Sequence, residues 1–262
     1  MRLFEFSELE TWMVVYFYVL AFVLGAVFGS FLNCAAYRIA RNQSFLKGRS
    51  ICPKCNHTLG VADLIPIFNF LFSKGRCRYC KEKISVRYPL TEVLFGLLSV
   101  LLLYHDGISA LFLRDFCFFC CLFCLSLVDI EIFEIPNGTV LIPIVAWVIG
   151  IFVLKPGVGD IIYYVTSGFV FGLAVLFISI LLDYVLKKES LGGGDIKLIF
   201  VIGLYLGAVA GLFSIILAAV LGLIWIRGKE KIPFGPFLSA GAVMVYLFGD
   251  PLVQWYLNIL QI

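Results

Sequence analysis

The sequence predicts an all-α integral membrane protein with about eight transmembrane helices and one polar loop between helices 1 and 2. Three observations carry that expectation. The chain of 262 residues is 62% hydrophobic and 14% charged, with a mean hydropathy of +1.04, outside the balance of a soluble domain. Seven apolar stretches approach or exceed the ~20 residues that cross hydrocarbon. Lys and Arg gather in a few loops and leave the apolar stretches nearly free of charge.

The first stretch, Thr11 to Tyr37, follows the acids Glu5, Glu8 and Glu10 and lacks a small-x-small cleavage site, so it reads as a retained helix and not a removable secretory signal. Phe31-Leu32-Asn33-Cys34 superficially resembles a lipidation site, but Asn before the cysteine is too polar and bulky for one. Pro89 to Tyr104, Leu111 to Val128, Ile135 to Leu154 and Ile161 to Leu182 follow, and Ile232 to Phe248 is the last. Backbone groups in lipid must pair within the segment, so all are helices. Ile196 to Ile226 is long for one crossing and short for two. Charge decides: 11 of the 20 Lys and Arg residues lie between Arg38 and Arg87, with more at Lys187, Lys188, Arg227, Lys229 and Lys231. Cationic loops stay in the cytosol. The outward candidates carry acids, Asp106, Asp115, Asp160 and Asp250 besides those at the N-terminus. A cytosolic Arg227 to Lys231 loop then makes Ile196 to Ile226 cross twice, turning near Gly207 to Gly211, with both termini outside.

The polar loop runs from about Arg38 to Tyr88. Within it, Leu64 to Phe72 is too short, and too interrupted by Pro66, to span a bilayer, so it lies at the interface or against the helices. Cys52-Pro53-Lys54-Cys55 and Cys77-Arg78-Tyr79-Cys80 form two C-x-x-C knuckles at the separation of a tetrathiolate zinc site. A cytosolic loop sits in a reducing compartment, which disfavours disulfides. With Cys52, Cys55, Cys77 and Cys80 filling every position, the Zn2+ is structural and offers no open position to water. Cys117, Cys120, Cys121 and Cys124 follow helical spacing with no polar company and read as packing. His57 and His105 have no partners that suggest a catalytic dyad.

Two carboxylates stand out. Asp129 opens Asp129-Ile130-Glu131-Ile132-Phe133-Glu134-Ile135-Pro136-Asn137 where the third helix ends, and Asp195 closes Gly192-Gly193-Gly194-Asp195 where the sixth begins. Two crossings separate them, which returns the chain to the cytosolic side. Ionisable groups at this depth are costly and are functional or paired. A close carboxylate pair shares one proton and can act as base toward water and acid toward a leaving amine, which is peptide hydrolysis without a metal. The glycines at 192, 193 and 194 let the backbone turn sharply and an extended strand approach. Lys197 serves as an interfacial anchor or helps tune the site, and Glu131 and Glu134 are acids that could meet Lys or Arg of a substrate.

With these residues assembled, the chain resembles the type IV prepilin peptidase family, the membrane aspartyl proteases of the Gly-x-Gly-Asp kind, along nearly its whole length. The resemblance rests on Gly29-Ser30-Phe31-Leu32-Asn33, both cysteine pairs, Asp63-Leu64-Ile65-Pro66, Arg87-Tyr88-Pro89-Leu90-Thr91-Glu92 and Asp129 upstream of Ile135-Pro136. It continues through Gly192-Gly193-Gly194-Asp195-Ile196-Lys197-Leu198 and Pro233-Phe234-Gly235-Pro236-Phe237. It implies that Asp129 and Asp195 are a catalytic dyad cutting the basic leader from prepilins or pseudopilins at the cytosolic face of a bacterial cell membrane. It also implies methylation of the new N-terminal residue from S-adenosylmethionine, for which Asn33 and Glu92 are the residues to test; no glycine-rich nucleotide fingerprint supports it independently. The implied division is a first helix at 1–37, the zinc loop at 38–88 and the helical protease domain at 89–262. Cys34 departs from the aliphatic residue more frequent in the family, and Asn137 stands where an acid often follows Ile-Pro.

Two other function classes compete. A proton-coupled transporter would use carboxylates near the midplane, whereas these fall at helix ends. A membrane-anchored zinc module recruiting protein or nucleic acid leaves Asp129, the glycine run and Pro233 to Phe237 unused, so no nucleic-acid partner is expected.

Overall fold

The computed structural model describes residues 2–4, 10–45, 48–187, 191–225 and 232–260. In order these form β1 (Arg2–Phe4), α1 (Thr11–Ile39), a 3-10 turn (Val61–Leu64), α2 (Phe68–Phe72), α3 (Arg87–Asp106), β2 (Ile108–Ser109) and α4 (Ala110–Ile132). Then come α5 (Asn137–Leu154), α6 (Val158–Leu186), α7 (Gly193–Trp225), α8 (Gly235–Phe248) and α9 (Asp250–Leu260). Among the described residues, six helices, α1 and α3 to α7, are long and apolar enough to cross a membrane; α8 and α9, bent by 78°, make a seventh span if taken together. Among the described residues the long elements are helices; β1 pairs antiparallel with β2, and the loop adds two isolated antiparallel bridges, Ile51 with Thr58 and Arg76 with Lys83. The chain forms two compact units, Met1–Phe112 and Leu113–Ile262.

In the first unit α1 and α3 pack along a seam of small residues. A Cβ added to Gly29 would lie 3.1 Å from the Glu92 Cα, and one on Gly96 2.9 Å from the Phe22 ring. Lipid gives helices no hydrophobic reason to associate, so close approach of backbones supplies the attraction. Gly25 and Gly29, four residues apart on α1, both lie on this seam. The connecting loop carries two knuckles built alike: Cys52 N–H donates to His57 C=O at 3.0 Å and Cys77 N–H to Glu82 C=O at 2.8 Å. Each turns through one left-handed residue, Asn56 (φ 55°) and Lys81 (φ 60°), directly after the second cysteine.

In the second unit α7 packs against both α6 and α8. Its helical run breaks at Gly207 (φ 77°, ψ −173°), where the Ala208 N–H freed by the break donates to the Tyr163 hydroxyl at 3.0 Å. Added Cβ atoms on Gly203 and Gly211 would both meet the Phe171 ring, at 2.9 and 2.7 Å. Eight residues of straight helix would set them about 12 Å apart, so the chain folds back at Gly207. The ends agree: Gly194 meets Ile135 at the close of α4, and Gly222 lies beside Phe234, next to the residue that contacts Asp129. The Arg227 to Lys231 loop lies outside the described residues, as do Glu5, Glu8 and Lys188.

Asp115, in the first turns of α4, is fully buried. Arg114 grips it through Nε at 2.7 Å and Nη2 at 3.0 Å, and the Tyr246 hydroxyl completes the site. The guanidinium stacks over Tyr205 at 5.2 Å, and the Tyr205 hydroxyl donates to Pro143 C=O at 2.8 Å. A paired charge can enter a low-dielectric interior where a lone one cannot. The cluster ties α4 to α5, α7 and α8.

Candidate active site and metal centre

Asp129 sits one turn before the end of α4 and is 5% exposed. The helix closes on Phe133, a left-handed residue (φ 57°) whose N–H donates to Asp129 C=O at 2.9 Å. The Asp129 side chain reaches across the unit: Oδ2 accepts the Gly235 N–H at 2.8 Å. Gly235 begins α8, where backbone N–H groups lack helical partners and favour an anion. A Cβ there would lie 2.8 Å from Asp129 Oδ2, so glycine is what admits the carboxylate.

Asp195 lies in the first turn of α7, half-buried, its N–H donating to Gly192 C=O at 3.1 Å. It is an electrostatic neighbour of Asp129. The glycine run divides its labour. Gly194 lets α7 approach Ile135, with an added Cβ only 2.8 Å from the Ile135 Cβ, whereas Gly193 faces open space and Gly192 is exposed beside the Asp195 carboxylate. Lys197 is exposed and donates from Nζ to Asn137 Oδ1 at 2.9 Å, linking α7 to α5. Glu131 is half-buried in the last turn of α4, and Glu134 is exposed just beyond it.

The four loop thiols of Cys52, Cys55, Cys77 and Cys80 lie within 4.8 Å of one another, and the Cys52 and Cys80 sulfurs are 3.9 Å apart. Tetrahedral zinc with Zn–S bonds of about 2.3 Å sets its sulfurs about 3.8 Å apart, so the donor set fits a Zn2+ ion. Burial opposes ionisation of Cys52, but hydrogen bonds from the backbone at Cys55 and Lys54 and from the Cys55 and Cys77 thiols outweigh it and hold the thiol down to about 7. Among the described residues this is the group that could hold a metal; Cys117, Cys120, Cys121 and Cys124 sit buried or half-buried on α4. His57 stacks on Tyr79 with ring centres 3.6 Å apart.

Asn33 and Glu92 are both buried and come together in the first unit. Asn33 Nδ2 donates to Gly29 C=O at 3.1 Å and to the Thr91 hydroxyl, while Glu92 Oε2 accepts the Ile67 N–H at 2.7 Å and the carboxylate also pairs with the Ser30 hydroxyl. Both line a cavity of about 720 Å³ enclosed by α1, α3 and the loop. Sequence reasoning missed two contributors. Gly235 was legible only as part of Pro233 to Phe237, and its signal was a glycine ahead of a helix-starting proline. Asn69, on the cavity wall, gave no signal.

A family model for the bacterial peptidase A24 N-terminal domain matches residues 23–105, and one for the type IV leader peptidase family matches residues 116–227. The chain is 33% identical over 246 residues to the prepilin leader peptidase/N-methyltransferase of Bacillus subtilis, covering 90% of this chain and 96% of that protein. Proteins of the same name from Aeromonas salmonicida (30% identical, covering 92% of this chain and 94% of the relative) and Burkholderia pseudomallei (31%, covering 94% and 89%) are similar throughout. No solved structure matches. With both halves of the chain matched and its relatives aligned almost end to end, this protein belongs to the type IV leader peptidase family.

Proposed function

We propose that the chain removes the basic leader from type IV prepilins or pseudopilins, with Asp129 and Asp195 as the catalytic dyad, and then methylates the new N-terminal residue. The observation that carries the peptidase reading is the Asp129 carboxylate held by the Gly235 amide with Asp195 as its charged neighbour. In the proposed reaction one carboxylate takes a proton from water as its oxygen attacks the scissile carbonyl, and the partner carboxyl gives its proton to the carbonyl oxygen. As the C–N bond breaks, the leaving amine takes up a proton from the first carboxyl, and the other proton returns to the partner. Exposed Gly192 and open Gly193 give an extended leader room beside Asp195, Lys197 steadies the start of α7 through Asn137, and Glu131 and Glu134 meet leader Lys or Arg.

The membrane arrangement belongs to the same proposal. Counting the two arms of α7 separately and α8 as the last crossing gives eight passages, with the dyad and the cysteine loop in the cytosol by the positive-inside pattern. The loop at 38–88 is then a zinc-folded module between the helix at 1–37 and the protease domain at 89–262. For methyl transfer, S-adenosylmethionine supplies an electrophilic methyl when bound, and Asn33 and Glu92 are the side chains assigned to that step.

Cleavage of a purified prepilin, followed by mass spectrometry with and without the methyl donor, tests both activities. Asp129→Asn and Asp195→Asn should each lose leader cleavage while inserting normally. Wild-type cleavage by either variant overturns the dyad.

A further inference from the structure

The loop of the first unit carries one segment whose polarity runs inside out. From Val61 to Phe72 the large side chains turned outward are Val61, Leu64, Ile65, Phe68, Leu71 and Phe72, with Val61 84% and Phe72 78% exposed. The two polar side chains of the segment are turned inward. The Asp63 carboxylate is 6% exposed, accepts the Gly60 N–H at 3.0 Å and pairs with Arg78 Nε at 3.3 Å. Asn69 donates from Nδ2 to Asp63 C=O at 2.8 Å, and its Oδ1 is buried. In water this arrangement leaves the main driving force of folding unused; against hydrocarbon it is the favourable one. The 3-10 turn sets Val61 and Leu64, three residues apart, on one edge. In α2 the rings of Phe68 and Phe72 stack with centres 6.2 Å apart. The two short helices lie against each other, so both apolar edges belong to one small body.

The depth of this body is fixed. α1 and α3 run antiparallel, with Gly29 against Glu92 and Gly25 against Ser99, so the loop sits at the bilayer surface where α1 ends and α3 begins. Ile67, between the 3-10 turn and α2, donates its N–H to Glu92 Oε2 at 2.7 Å. Glu92 lies five residues beyond Arg87, where α3 starts, which is about 7.5 Å down the axis of a helix long and apolar enough to cross the membrane. Interfacial segments bury their apolar face about 5–10 Å into the boundary between headgroups and acyl chains, the same depth. The charge of the loop suits that surface. Between Ile51 and Tyr88 seven Lys and Arg residues stand against two acids, and Lys74 and Arg76, directly after Phe72, are exposed.

We propose that residues 61–72 dip into the lipid bilayer as a wedge beside α3, with Phe68, Leu71 and Phe72 among the upper acyl carbons and Lys74 and Arg76 on anionic headgroups. Lipid is the occupant because the patch hangs from a membrane-crossing helix at the depth of the hydrocarbon boundary and carries cations at its rim. The wedge gives the loop an attachment to the bilayer besides the two helices that flank it.

The test measures depth directly. The full chain is placed one copy per nanodisc, in bilayers containing phosphatidylglycerol and with no prepilin, with trifluoromethyl-phenylalanine in place of Phe72 or, as a solvated reference, of the exposed Tyr79. The fluorine resonance at 72 should be broadened by a phospholipid carrying a nitroxide near its headgroup. Its response to a gadolinium chelate in the water should be about ten-fold or more weaker than that of the resonance at 79. Equal response to gadolinium at both positions overturns the wedge. Shielding from gadolinium without broadening by the nitroxide lipid places the patch against protein and overturns it as well. In a second arm, Leu71→Glu combined with Phe72→Glu leaves the inward hydrogen bonds intact and should retain zinc, while tryptic cutting at Lys74 and Arg76 in the discs rises about ten-fold. Cutting at the wild-type rate with zinc retained overturns the proposal; if zinc is lost, the fluorine measurement decides.

Discussion

Gly235→Ala should cripple cleavage without touching either aspartate. The added methyl would sit 2.8 Å from Asp129 Oδ2, 3.3 Å from its Cγ and 3.3 Å from Leu125 Cδ1. A carbon and an oxygen need about half an ångström more than that, and the backbone at the start of α8 is pinned by Pro236. The carboxylate must therefore swing away and loosen its hydrogen bond to the Gly235 amide. Misplacing a reacting group by roughly 1 Å costs about 10²-fold in rate, so kcat for leader removal should fall between about ten- and a hundred-fold. Overpacking adds a stability cost of about 1–3 kcal/mol. Gly235 is not among the residues with positive φ, so alanine carries no backbone penalty there and the effect isolates the carboxylate. Initial rates on a purified prepilin in detergent, with thermal unfolding alongside, give the readout. Gly138→Ala in α5, where an added Cβ meets nothing within 4 Å, is the matched control. Wild-type kcat in a folded Gly235→Ala protein would refute the view that this amide sets the reactive position of Asp129.

Three other substitutions probe the rest of the molecule. Cys52→Ser should release the metal and loosen the loop, read as loss of zinc by elemental analysis and faster proteolysis between Arg38 and Tyr88; purified wild-type protein with no zinc would reject the site. Arg114→Met strands the fully buried Asp115 and should lower stability by about 3–5 kcal/mol, with the Arg114→Met, Asp115→Leu double variant recovering much of it; equal losses in both would show that the ion pair is not what matters. Gly207→Ala forces a side chain into the left-handed region against Tyr163 and should reduce the folded yield in membranes far more than Gly138→Ala does, a comparison that equal yields would defeat.

Much of this was legible because hydropathy and charge report directly on lipid contact. The apolar runs from Thr11 and from Pro89 became α1 and α3 with only their ends shifted, since burial in lipid leaves a helix no competing structure. The cysteine quartet was equally plain: metal geometry demands that spacing. The ion-pair cluster around Asp115 was not legible, because one of its partners, Tyr246, lies more than a hundred residues away. The anchor of Asp129 was hidden for a related reason, being a backbone amide 106 positions away that no side-chain pattern announces.

The link between Asp129 and Gly235 spans 106 positions and has a bearing on biosynthesis. A ribosome-bound chain extended only as far as α7 would already possess both acids, yet the amide that orients the first would still be unmade. On the proposed dyad, proteolytic competence then arrives with α8, and a product of translation cut short before it would be inert toward prepilins.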